Sequence, residues 1–185
     1  MEFYHLSRER LEVGFTMRSE DYQRRPHYEL FRHPPSPEFL SIPRFSSDRL
    51  LEATFEKVRK TIAIAAPSRE YAIFTFLCEQ CATWFRENSD AARKEATIVK
   101  LDVRPGSKIY VTDLVWRNIA AQVLLKDRWR EPDFPFPSSR QLDGLRRVAE
   151  AYWQGRDPDA YGLGTIPEAL IDGETVVLTD LGCKN

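Results

Sequence analysis

The stretch Tyr71-Ala-Ile-Phe-Thr-Phe-Leu77 is an almost unbroken apolar and aromatic run, preceded by charged Arg69-Glu70 and followed closely by Glu79. A strand of that composition has no face suited to water, so it must lie in a sheet covered on both sides. The rest of the chain has to supply both the neighbouring strands and the covering layers.

Strand-like patterns recur at residues 2–6, 96–103, 108–112, 165–171 and 174–179. Arg104-Pro-Gly-Ser107 reads as a turn joining 96–103 and 108–112 in an antiparallel hairpin. Asp172-Gly173 between two apolar runs predicts a second hairpin. Helices are expected from Ser46-Ser47-Asp48 to Ile64, over 79–86, from Asp113 to Leu125 and over 141–154. In the first, Leu50, Leu51, Phe55, Val58 and Ile62 share a face; in the last, Leu142, Leu145, Val148, Ala149 and Tyr152 do.

Between Phe15 and Phe45, five prolines (Pro26, Pro34, Pro35, Pro37, Pro43) forbid a long helix and predict an extended loop, of the kind that often serves a site. Strands and helices mix without βαβ alternation. The expectation is one α+β domain over 1–185, with a mostly antiparallel sheet core and flanking helices.

Composition excludes several classes. The chain has 185 residues, 42% hydrophobic and 30% charged, which suits one folded domain rather than a disordered chain. Its 27 Lys and Arg against 28 Asp and Glu leave a net charge of -1, so no global positive field draws it to nucleic acid or anionic lipid. No apolar run is long enough to span a bilayer and residues 1–5 do not resemble a secretory signal, so a cytoplasmic protein with no membrane partner is expected.

Three cysteines are an odd number and are read as reduced. Cys78-Glu-Gln-Cys81 has redox spacing, but its place after an apolar strand favours packed core sulfhydryls. Walker, GxGxxG, HExxH, GxSxG and paired CxxC patterns are missing. His27 and His33 have no partners to complete a metal site, so no metal is expected. Arg24-Arg25 could meet a phosphate. Trp129, Phe134 and Phe136 read as anchors for a second proline-rich loop.

Short motifs are more informative as an ordered set: Tyr4-His5, Phe55-Glu56-Lys57-Val58-Arg59, Pro67-Ser68-Arg69, Tyr152-Trp153 and Pro167-Glu168-Ala169-Leu170. The set resembles the ADP-ribosyltransferase superfamily, whose members carry His or Arg on an early strand, a Ser or Tyr motif on a middle strand and Glu on a late one. Within that superfamily the chain looks most like a group of small uncharacterised bacterial proteins. The resemblance covers nearly the whole chain and implies a split, mostly antiparallel sheet.

It also implies NAD as substrate, a macromolecular acceptor (protein, RNA or DNA), and a bacterial toxin, effector or defence enzyme. Such an enzyme could be delivered to a target cell and could face an antitoxin or immunity protein. As nicotinamide leaves, the ribose becomes oxocarbenium-like, and a carboxylate bonded to the 2-hydroxyl grips harder as positive charge develops. The resemblance gives that role to Glu168, and catalytic and ribose-binding roles to His5. It places Ser7, Ser68 and Arg69 around the cofactor, with Tyr71 or Phe74 stacking on nicotinamide.

Ile166 stands two residues before Glu168, where arginine-modifying members carry Glu or Gln, so transfer to arginine is disfavoured. Tyr161-Gly-Leu-Gly-Thr165 is a candidate acceptor loop. An NAD glycohydrolase of the same fold and an inactive binding module on that scaffold are the alternatives.

Overall fold

The computed structural model describes residues 1–22, 43–88, 95–125 and 138–182. His27, His33, Arg24, Arg25, Trp129, Phe134, Phe136 and Cys183 lie outside the described residues. Along the chain run β1 (Phe3–Ser7), β2 (Thr16–Arg18), α1 (Ser19–Tyr22), α2 (Pro43–Ile62), β3 (Ile73–Phe76), α3 (Glu79–Glu87), β4 (Thr97–Val103), β5 (Lys108–Asp113), α4 (Leu114–Leu125), α5 (Ser139–Trp153), a 3-10 turn at Asp159–Tyr161, β6 (Pro167–Asp172) and β7 (Glu174–Asp180). The architecture is α+β, and every strand pair is antiparallel.

Two expectations about loops and helix ends are corrected. The stretch from Phe15 carries β2 and α1 before its undescribed part. The long helix α2 starts at Pro43, not near Ser46. Proline's fixed φ suits a first helical turn, where its missing N–H costs nothing. The end of α5's first turn follows the sequence more closely: Ser138 Oγ accepts from Gln141 N, and Gln141 Oε1 accepts from Ser138 N, a reciprocal cap.

Both predicted hairpins are absent. The seven strands are ordered β2-β7-β4-β1-β3-β6-β5, so β4 pairs with β1 and β7, while β5 lies at the far edge beside β6. Likewise β6 pairs with β3 and β5, and β7 with β2 and β4. The physical reason lies where the connections meet. A single residue, Gly173, separates β6 from β7, too short a link to reverse the chain as a two-residue hairpin loop does.

Gly173 turns a corner instead, with φ +141. A Cβ there would stand 2.4 Å from Ser107 Oγ, in the turn between β4 and β5. Ser107 Oγ donates to the Glu174 carbonyl and accepts from Glu174 N, locking the two corners together. Strands that turn corners in this way pass from one half of a folded sheet to the other.

The halves β2-β7-β4-β1 and β3-β6-β5 bury one shared core, in which Phe3, Val99, Leu101 and Val177 meet Ile73, Ala169 and Ile171. Their join is slight: β1 and β3 have one register pair, Tyr4 with Phe76, whereas β1 and β4 have five. A second core packs α2, α4 and α5 over β6, with Leu51, Phe55, Ala120, Leu145, Tyr152 and Leu170 inside. Ile62, expected on the buried face of α2, is exposed at the helix end. A third, smaller core sets α3 against Tyr4, Phe76 and Ile98.

Candidate functional site

Side chains alternate along a strand, so in β6 Ala169 and Ile171 enter the core between the half-sheets while Glu168 and Leu170 face the helices. Glu168 is therefore carried into a crowded layer, and it is only 2% exposed. A buried carboxylate has to be paired. Arg69 Nη1 donates to Glu168 Oε1 at 2.9 Å, and Tyr152 Oη donates to the same oxygen at 2.7 Å. Arg69 Nη1 also bonds Tyr152 Oη.

Both donors fall on Oε1. Glu168 Oε2 has no partner among the described residues and is not sealed from solvent, since Thr175 Oγ1 is the one buried side-chain polar atom among them without a bond. Glu168 lines a cleft of about 780 Å³ together with His5, Arg69, Phe74, Glu52 and Arg117.

Arg69 is fixed from several directions. Its Nε donates to Glu52 Oε2 at 3.1 Å, and Glu52 Oε1 in turn accepts from Arg117 Nε at 3.3 Å. The guanidinium carbon lies 4.8 Å from the Phe74 ring centre and 4.9 Å from that of Tyr152. Aromatic faces hold a cation without competing for its donors.

Burial opposes the charge on Arg69, but Glu52 and Glu168 outweigh it and hold the guanidinium protonated well beyond its ordinary range. Burial likewise pushes the Glu52 carboxyl up, and the two arginines more than reverse that, leaving it below the usual carboxylate range. The Tyr152 hydroxyl is driven far upward, chiefly by burial, with the Glu168 charge adding to it.

The motif residues form one connected structure. Ser68 Oγ donates to Glu56 Oε2 at 2.9 Å, and Glu56 also takes a two-pronged bond from Arg59. Arg59 donates onward to the carbonyls of Ile64 and Ala66, which fixes the chain leaving α2. Trp153 Nε1 donates to the Phe55 carbonyl, and the Phe55 ring meets Tyr152 edge-on at 5.1 Å. The Phe-Glu-x-Val-Arg, Pro-Ser-Arg and Tyr-Trp pieces thus build the bed on which Glu168 rests.

At the slight join of the half-sheets, His5 Nδ1 lies 2.7 Å from the Phe74 carbonyl, so an imidazole bridges where the backbone ladder stops. His5, Arg69, Phe74 and Glu168 all line the cleft; Ser7, Ser68 and Tyr71 do not. Ser7 is buried, and its Oγ accepts from Glu9 N. Ser68, Arg69 and Tyr71 stand in a turn before β3 rather than on the strand, with Tyr71 N and Ala72 N both donating to the Ser68 carbonyl.

Glu52, Arg117 and the role of Tyr152 escaped the sequence reading. Glu52 and Arg117 look like ordinary helix-surface charges, and Tyr152 like one more apolar residue of α5. Asp113, read as a helix cap, does accept from Val115 N, and it also takes the Ile166 N–H on the approach to Glu168. Burial pushes its carboxyl upward against the opposing pull of those two N–H groups. The cysteine expectation is corrected: Cys78 and Cys81 are joined in a disulfide, half-buried at the start of α3. The first helical turn brings the two Cα atoms to 5.3 Å, within disulfide range.

Residues 18–182 match the family described as Protein of unknown function (DUF2441). The chain belongs to this family. Its matched region contains every motif above except Tyr4-His5, and so includes Arg69, Tyr152 and Glu168. No curated protein matches the chain. No described helix is long and apolar enough to cross a membrane.

Proposed function

We propose that this DUF2441 member is an NAD-dependent ADP-ribosyltransferase with Glu168 as its catalytic carboxylate. The observation that carries the proposal is the convergence of His5, Phe74 and Glu168, from β1, β3 and β6, on one cleft. These are the early, middle and late strands of the resemblance, and they are neighbours in the sheet order. The single register pair between β1 and β3 supports the split-sheet architecture.

In the proposed reaction the bond between the nicotinamide nitrogen and the ribose anomeric carbon breaks, and its electron pair leaves with nicotinamide. An acceptor nucleophile forms the new bond to that carbon and gives up its proton. Glu168 Oε2 accepts from the ribose 2-hydroxyl and stabilises the cation as it develops, while Arg69 and Tyr152 hold Oε1. Arg69 and Tyr152 are positioning residues here. Because Arg69 and Arg117 are engaged by carboxylates and Lys60 pairs with Glu56, phosphate contact falls to Arg8 and Lys57 of the cleft.

The cleft volume lies within the ordinary range of about 300–1,000 Å³ for small-molecule sites. Phe74 is the better aromatic candidate for nicotinamide, because it lines the cleft and Tyr71 does not. Ile166 is half-buried, packed in the small core near α3, and offers an acceptor no polar group.

One observation favours a second reading. The two donors on Glu168 Oε1 are also what a purely structural buried carboxylate would have, which suits a binding module without chemistry. The test is incubation with NAD labelled on its adenosine half in a bacterial lysate, followed by assay of free nicotinamide and labelled macromolecules. Transfer predicts both products, and their loss in Glu168→Gln. Nicotinamide alone would mark an NAD glycohydrolase. NAD binding by calorimetry without nicotinamide release would mark a binding module, and no NAD binding at all would overturn the assignment.

A further inference from the structure

We infer that Cys78 and Cys81 form a reversible thiol–disulfide exchange site, reached through a second cleft that Glu168 does not line. The disulfide spans three positions at the start of α3. So short a loop removes little entropy from the unfolded chain, which makes the bond a weak brace for the fold. Both cysteines are half-buried, and accessible disulfides of this kind belong to the reducible rather than the structural class.

The two sulfurs differ. Cys78 lines an open cleft of about 640 Å³, whereas Cys81 does not line it and packs beside Tyr4 and Phe76. Cys78 caps α3: its Sγ accepts from Cys81 N at 3.0 Å, at the positive end of the helix dipole. The helix end favours a Cys78 thiolate once the bond is broken, against the carboxylates nearby. Three carboxylates, Glu2, Glu79 and Glu87, also line this cleft, and they favour a neutral or basic partner over an anionic one.

The partner is an external dithiol. Its first thiolate attacks Cys78 Sγ from the cleft, forming a mixed disulfide and releasing Cys81 as a thiolate that takes up a proton. The partner's second thiolate then attacks its own mixed-disulfide sulfur and releases Cys78, which is stabilised as a thiolate. The partner loses two electrons and becomes a disulfide, and the cysteine pair gains them.

The experiment uses the full chain with Cys183→Ser, so that only this pair is counted. Native protein is treated with neutral dithiothreitol, and thiols are counted by alkylation and mass. Two new thiols, lost again on treatment with uncharged hydroxyethyl disulfide while the far-UV circular dichroism stays constant, are expected. In the same background, Cys81→Ser should form a mixed disulfide with a neutral aromatic disulfide about tenfold faster than Cys78→Ser does. Thiols that appear only in denaturant, a pair that never oxidises, or equal trapping rates for the two variants would each overturn the inference. The thiol count on the unaltered pair keeps the test valid even where one serine variant fails to fold.

Discussion

Arg69 and Glu168, 99 residues apart in the chain, form a buried ion pair at 2.9 Å with side chains 5% and 3% exposed. Breaking such a pair leaves a charge without compensation, whereas replacing both members with apolar groups need not cost stability. Glu168→Ala should therefore lower unfolding free energy by about 3 kcal/mol, within the range seen when one partner of a buried pair is removed. The double variant Arg69→Met, Glu168→Met should recover only part of the loss, since it also leaves Glu52 with Arg117 alone. Urea unfolding of the two variants checks this, and equal destabilisation would show that the pair is not the source.

Tyr152→Phe removes one donor from Glu168 Oε1 while keeping the ring against Phe55 and Arg69. The expected cost is about 1.5–3 kcal/mol, that of one hydrogen bond to a charged group. On the proposed chemistry, nicotinamide release should slow with little change in the Michaelis constant for NAD, because Tyr152 orients the carboxylate and is not among the residues lining the cleft. Steady-state kinetics separates the two parameters.

Two carboxylates should give opposite pH signatures. Glu52 is held below the usual range in the folded state, so its stabilising contribution is present above the unfolded value and is lost as pH falls through the depressed one. Asp113 is held above it, so its contribution is present below the ordinary value and is lost as pH rises through the raised one. Stability measured against pH should show the difference between wild type and Glu52→Gln shrinking in acid. The difference between wild type and Asp113→Asn should shift the other way.

Gly173→Ala should be among the most damaging substitutions of a surface corner. It adds a Cβ at φ +141 and sets it 2.4 Å from Ser107 Oγ and 2.8 Å from Ser107 Cα. A loss of more than about 2 kcal/mol is expected from strain at a glycine-only conformation together with the clash. Ser107→Gly in the same chain should relieve only part of it, since the backbone atom and the dihedral remain. Thermal unfolding of the single and double variants checks the order.

Local pattern determined a good deal about this protein. The periods of apolar residues located every strand except β2, and the helices α3, α4 and α5, to within a few residues, because burial of one face or of both leaves a direct trace in the sequence. The ordered motifs contain Glu168, His5 and Arg69, which share a cleft with Phe74, whereas Ser7, Ser68 and Tyr71, named with them, do not line it.

What the tertiary structure alone decided was who pairs with whom. The turn at 104–107 and the Asp172-Gly173 step look like hairpins locally, yet each feeds its second strand into the other half-sheet, a choice made by the packing of Phe3 and Leu101 against Ile73 and Ile171. Glu52 and Arg117 gained their place for the same reason. An exposed charge and a half-buried, paired one are written with the same letter, and only long-range packing, which brings α2 and α4 over β6, sets Glu52 and Arg117 side by side with Arg69.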